Sequence, residues 1–108
     1  MQIRITSETT AVAEAADVGR LEVVADDGID LATALRGLGR PDGTDHVWLD
    51  VVALEQAARA ALPEGADVEA WRAAYAAMIT FADEHGWLDA RRAHVRAHVE
   101  PPPAPRTG

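Results

Sequence analysis

The sequence predicts an α+β fold: a small antiparallel or mixed sheet of three or four strands, with two or three helices packed on one face. Three observations carry this. Met1–Thr6 alternates apolar and polar residues, and Ala93–Glu100 does the same, which is the period of a half-buried strand. Between them, Val68, Trp71, Tyr75, Met78 and Ala82 recur at helical spacing. Each strand has a single apolar face, so helices are expected to cover the sheet on one side only.

The elements follow in chain order. Ile3 and Ile5 share one strand face, while Gln2, Arg4 and Thr6 share the other. Ser7 is placed to cap a helix from Glu8 to about Asp17, with Glu8 at its positive end. Gly19 breaks that pattern. Residues 21–28 read equally as strand, helix or loop. Asp30–Leu38 reads as a helix with Leu31, Leu35 and Leu38 on one stripe, and Gly39–Asp45 as a loop dense in turn formers. His46–Leu49 reads as a strand leading into a helix capped by Asp50, which Pro63-Glu64-Gly65 stops. Asp67 opens the longest helix. Gly86 is a natural residue for its left-handed end, where Trp87-Leu88 can fold back.

The chain has 108 residues, of which 48% are hydrophobic, enough for one core and too few for two. Residues 1–100 are expected to form a single α+β domain. Residues 101–108 are Pro-rich and read as an extended or disordered tail. Much of the apolar fraction is alanine, so the core leans on Trp48, Trp71, Trp87, Tyr75 and Phe81.

Charge bounds the function. Acidic residues number 18 against 10 basic ones, a formal net charge of −8, and every basic residue is arginine. Coding bias in a GC-rich bacterial genome is the expected reason for both the arginine and the alanine. The acidic balance argues against nucleic-acid binding, which needs a basic surface. Without cysteine there is no disulfide, thiolate metal site or thiol nucleophile. No signal-peptide pattern and no membrane-length apolar run occurs, so a cytoplasmic location is expected.

The most informative feature is the strand face turned away from the helices. With Val47 and Leu49 directed to the core, Trp48 points outward. The predicted face then gathers Arg4, His46, Trp48, His94, Arg96 and His98, with Glu100 at its end. A slip of one residue in register would reverse this. The six residues form a candidate ligand- or interface-binding set.

Other chemistry finds little support. His94 and His98 lie about 13 Å apart along a strand, too far to bind one metal ion. No metal-binding or phosphate-loop motif occurs, and no cofactor is expected. Ser7 is the only serine, and no nucleophile elbow surrounds it.

The sequence therefore favours a non-enzymatic interaction or accessory module acting as a homodimer through this face. Two alternatives stand beside it. The first is a binder of a small anionic ligand, or a simple acid–base enzyme, with Arg4 and Arg96 orienting the ligand and His94 or His98 moving a proton. The second is an acidic partner of a basic protein, in the manner of an immunity protein or antitoxin.

Overall fold

Alternating residues at the N-terminus form β1 (Gln2–Ile5), which buries Ile3 and Ile5 completely. The computed structural model describes residues 1–101. The Pro102–Gly108 part of the expected tail lies outside the described residues. The remaining elements are β2 (Thr10–Ala13), β3 (Glu22–Ala25), α1 (Leu31–Ala34), β4 (Gly39–Asp42), β5 (His46–Asp50), α2 (Val51–Ala60), α3 (Val68–Glu84) and β6 (His94–Glu100).

The fold is α+β, but its sheet is larger than the three or four strands expected. Six strands in the order β2-β1-β3-β6-β5-β4 form one mixed sheet curled into a half-barrel. β1 pairs antiparallel with β2 and parallel with β3. β5 pairs antiparallel with both β4 and β6. The two halves meet in a short parallel joint, where Val23 is opposite Val99 and Val24 opposite Glu100.

Two segments account for the added strands. Residues 8–17 were expected to be a helix capped by Ser7. Instead the Thr6 hydroxyl accepts from the amides of Glu8 and Thr9, and the Thr6 amide donates to the Thr9 carbonyl at 2.8 Å. This turn folds β2 back onto β1, with Val12 opposite Ile3. Strand pairing overrides the helical propensity of the alanines. Residues 39–42 were expected to be loop. They form an edge strand, where the missing amide of Pro41 is tolerated.

The expected helix over residues 30–38 is a single turn, capped by Asp30, whose carboxylate accepts from the Ala32 amide at 3.1 Å. Gly37 then takes a positive φ of 82° and turns the chain into β4. Residues 22–25, which the sequence left open, are strand β3.

Strand side chains directed inward are Ile3, Ile5, Val23, Ala25, Val47, Leu49, Val95 and Ala97. They meet Leu35, Leu54, Ala58, Trp71, Tyr75 and Ala82 from the helical layer. Fully burying side chains such as Leu49 and Leu54 stabilises the fold by roughly 1.5–3 kcal/mol each. Two polar atoms on α3 fix it to the rest of the chain. Trp71 Nε1 donates to the Ala15 carbonyl at 2.7 Å, and Tyr75 Oη donates to the Val51 carbonyl at 2.7 Å.

Candidate functional site

Cross-strand register settles which predicted site residues share a face. On β5 and β6, His46 is opposite His98, Trp48 opposite Arg96, and Asp50 opposite His94. On β4, Arg40 is opposite Trp48 and Asp42 opposite His46. Val47, Leu49, Val95 and Ala97 are buried between these positions, so His46, Trp48, His94, Arg96 and His98 all lie on the outer face. The His46 and His98 rings meet edge to face with centroids 5.1 Å apart. Trp48 is half-buried.

Arg4 also lies on the outer face, but elsewhere. It is opposite Val24, which is opposite Glu100, four residues along β6 from Arg96. Four residues along a strand and two strand spacings across it put Arg4 and Arg96 roughly 16 Å apart. The two residues therefore stand at different parts of the face. Each guanidinium is also engaged nearby: Arg4 Nε donates to Gln2 Oε1 at 2.9 Å, and Arg96 Nε to Asp42 Oδ2 at 2.9 Å.

His94 belongs to a separate cluster at the far end of β6. Its Nδ1 lies 2.9 Å from Asp89 Oδ2, and its Nε2 lies 4.0 Å from Asp50 Oδ2. Asp89 also accepts from the amides of Ala93 and His94. Loss of water works to raise the Asp89 pKa, but the hydrogen bonds from His94 and Ala93 outweigh it and hold the carboxyl below the usual range. His98 Nε2 lies 3.8 Å from Glu100 Oε1 on the exposed face. Among the described residues, no three histidine or carboxylate side chains are grouped to hold a metal ion.

A cleft the sequence did not announce opens beside β6. Near its start β6 is bound by the segment after α3: the Arg96 amide donates to the Trp87 carbonyl at 2.8 Å, and Leu88 is opposite Val95. Near its end β6 is paired with β3. Between these attachments the edge of β6 faces a pocket of about 370 Å³, within the size range of small-ligand sites. Val18, Leu21, Met78, Phe81, Ala82 and Trp87 line it, together with His46, Arg96 and His98.

Trp87 reaches this cleft through the end of α3. Gly86 has a φ of 73°, the Gly86 amide donates to the Asp83 carbonyl at 3.1 Å, and the Trp87 amide donates to the Ala82 carbonyl at 2.9 Å. This is the Schellman arrangement, which reverses the chain at the helix end. Phe81 is 52% and Trp87 46% exposed, so these two large rings are held partly in water at the lip of the cleft. His85 packs against both, with ring centroids 4.1 Å from Phe81 and 4.9 Å from Trp87. The Gly86 signal was readable in sequence. The opening opposite β6 was not, because it depends on where β3 parts from a strand more than 70 residues away.

Among the described residues, no helix is long and apolar enough to cross a membrane. No protein-family model, curated protein or solved structure matches the chain.

Proposed function

We propose that this chain is a non-enzymatic interaction module that works in the cytoplasm as a homodimer, joined through the outer face of its sheet. The observation that carries the reading is the balance of charge on that face. The chain as a whole is at −8, which opposes self-association. On the outer face, Arg4, Arg40 and Arg96 stand among Glu22, Asp42, Asp50 and Glu100, three positive side chains against four negative. Here two copies related by a two-fold axis can meet without strong repulsion, each presenting the same patch. Trp48 stands between Arg40 and Arg96 and supplies the large ring that anchors such contacts.

The test is native mass spectrometry and sedimentation velocity on the untagged protein. A species of twice the chain mass is expected, and Trp48→Ala is expected to weaken it by on the order of 30-fold, the effect of losing an aromatic anchor worth about 2 kcal/mol. A strict monomer at high micromolar concentration would overturn the proposal. So would a dimer indifferent to Trp48.

A further inference from the structure

The cleft beside β6 carries more than apolar walls. Hydrogen bonds fix which way the backbone of β6 faces. The Val99 amide donates to the Asp45 carbonyl at 2.7 Å, and the Val51 amide to the Ala93 carbonyl at 2.9 Å. The odd-numbered residues of β6 therefore turn their backbone groups toward β5, and the even-numbered ones turn theirs the opposite way. On that opposite side the His94 carbonyl and the Arg96 amide are bonded to Asp89 and Trp87. Pairing with β3 begins only at Val99. The Arg96 carbonyl and the His98 amide lie between, facing the cleft.

An acceptor and a donor in this order match one residue of a parallel strand set opposite Ala97. Such a residue donates its N–H to the carbonyl before Ala97 and accepts at its own carbonyl from the amide after it. Its side chain points to the same side as that of Ala97. Ala97 is buried, so this is the side of α3, where Met78, Phe81 and Ala82 line the pocket.

The gap is also one residue long. The Arg96–Trp87 bond closes it at one end and the Val23–Val99 pairing at the other, so a longer peptide could not continue along β6. We infer that the cleft binds a single free α-amino acid with a large apolar side chain. Its ammonium group donates to the Arg96 carbonyl, and its carboxylate accepts from the His98 amide. The carboxylate lies toward Arg96, His46 and His98, which also line the pocket. The side chain fills the space between Leu21, Met78, Phe81 and Trp87.

Calorimetric titration with L-phenylalanine and L-leucine tests this, with the amide NMR spectrum recorded in parallel. Binding at one site per chain is expected, with the His98 amide among the signals that move most. Phenylpropionate, which lacks the amine, should bind on the order of tenfold more weakly, having lost a charge-assisted hydrogen bond. L-phenylalaninamide, whose neutral carbonyl still accepts from the His98 amide, should bind several-fold more weakly because that bond loses its charge. Phe81→Ala alters an exposed ring, leaves the fold intact and should weaken binding several-fold. Three results would overturn the inference: no binding of either amino acid at millimolar concentration, phenylpropionate binding as tightly as phenylalanine, or N-acetyl-L-phenylalanine binding more tightly than the free amino acid. His46, Arg96 and His98 also stand on the proposed contact face, so the titration is repeated on Trp48→Ala. Absence of binding to both proteins overturns this inference, whereas the oligomeric state of the two proteins tests the dimer proposal on its own.

Discussion

Arg96 on β6 reaches over β5 to Asp42 on β4, with Nε 2.9 Å from Oδ2. The link is diagonal, because the register sets Arg96 opposite Trp48 and Asp42 opposite His46. It ties a four-residue edge strand containing proline to the longest strand of the sheet. It also orients the arginine beside Trp48 on the proposed contact face.

Both partners of this link are substantially exposed, so its effect on stability is expected to be small. Asp42→Ala should lower unfolding free energy by less than about 1 kcal/mol. Urea titrations at low and high salt check this, and the difference from the parent should shrink as salt rises. A loss well above that bound would mean that Asp42 holds β4 in place by more than this one ion pair.

Gly39 is expected to tolerate no side chain. A Cβ there would sit 2.1 Å from the Trp48 carbonyl oxygen and 3.0 Å from Leu49 Cα, both backbone atoms of the neighbouring strand. Since the contact is backbone on backbone, relief requires β4 and β5 to separate. Gly39→Ala should cost about 3 kcal/mol or more. Gly43→Ala is the control: its Cβ would meet nothing within 4 Å, and only its positive φ of 70° opposes the change. Thermal melts of the two variants should differ clearly, with the Gly39 variant the less stable.

Trp71 and Tyr75 stack on each other with ring centroids 5.3 Å apart, and each bonds a carbonyl on another segment. Trp71→Phe keeps an aromatic ring but leaves the Ala15 carbonyl without its donor. A loss of about 1–3 kcal/mol in urea unfolding is expected. A neutral result would show that water replaces the indole there.

Tyr75 is the only tyrosine, so its ionisation can be followed by absorbance without interference from another phenol. Burial raises its pKa well above the usual phenol range, and the nearby carboxylates of Glu55 and Asp50 raise it further. The folded chain therefore holds the proton while the unfolded chain releases it near pH 10. Stability should fall as pH rises above about 10, and Tyr75→Phe should flatten that decline. Tyrosinate absorbance appearing near pH 10 in the still-folded protein would contradict this.

How far the fold was legible follows from particular residues. The alternation of β6 and the apolar stripe of α3 were readable because each repeats over enough residues for the period to stand out. Trp48 could be assigned to the outer face from the flanking Val47 and Leu49 alone. β2 was not readable: Thr10–Ala13 is followed by Glu14, Ala15 and Ala16, a helix-forming composition, and only the register with β1 decides otherwise. β4 was hidden by Gly39, Pro41 and Asp42, residues typical of turns that an edge strand also accepts. Of the six predicted site residues, His46, Trp48, Arg96 and His98 share one region of the outer face, His94 joins Asp89 and Asp50 at the start of β6, and Arg4 stands apart because β3 separates β1 from β6. The cleft escaped notice because its defining groups are backbone atoms, to which side-chain patterning is blind.

Acid stability is expected to report on Asp89. Its carboxylate accepts from the Ala93 amide at 2.9 Å, the His94 amide at 3.1 Å and His94 Nδ1 at 2.9 Å, so one side chain holds the turn that starts β6. With its pKa held below the unfolded value, the folded protein favours the ionised form. The stability this confers is fully present above the unfolded carboxylate pKa, near 4, and is lost as pH falls through the folded value. Asp30 contributes to the same acid limb, because the Thr33 hydroxyl donates to it at 2.8 Å and its pKa is likewise lowered. Asp89→Asn should therefore flatten the loss of stability below about pH 4 only in part, and Asp89→Asn with Asp30→Asn should flatten it further. Urea unfolding measured from pH 2 to pH 6 checks this. An acid limb identical in the parent and the double variant would mean that other carboxylates drive the acid transition and that the His94–Asp89 contact confers none of it.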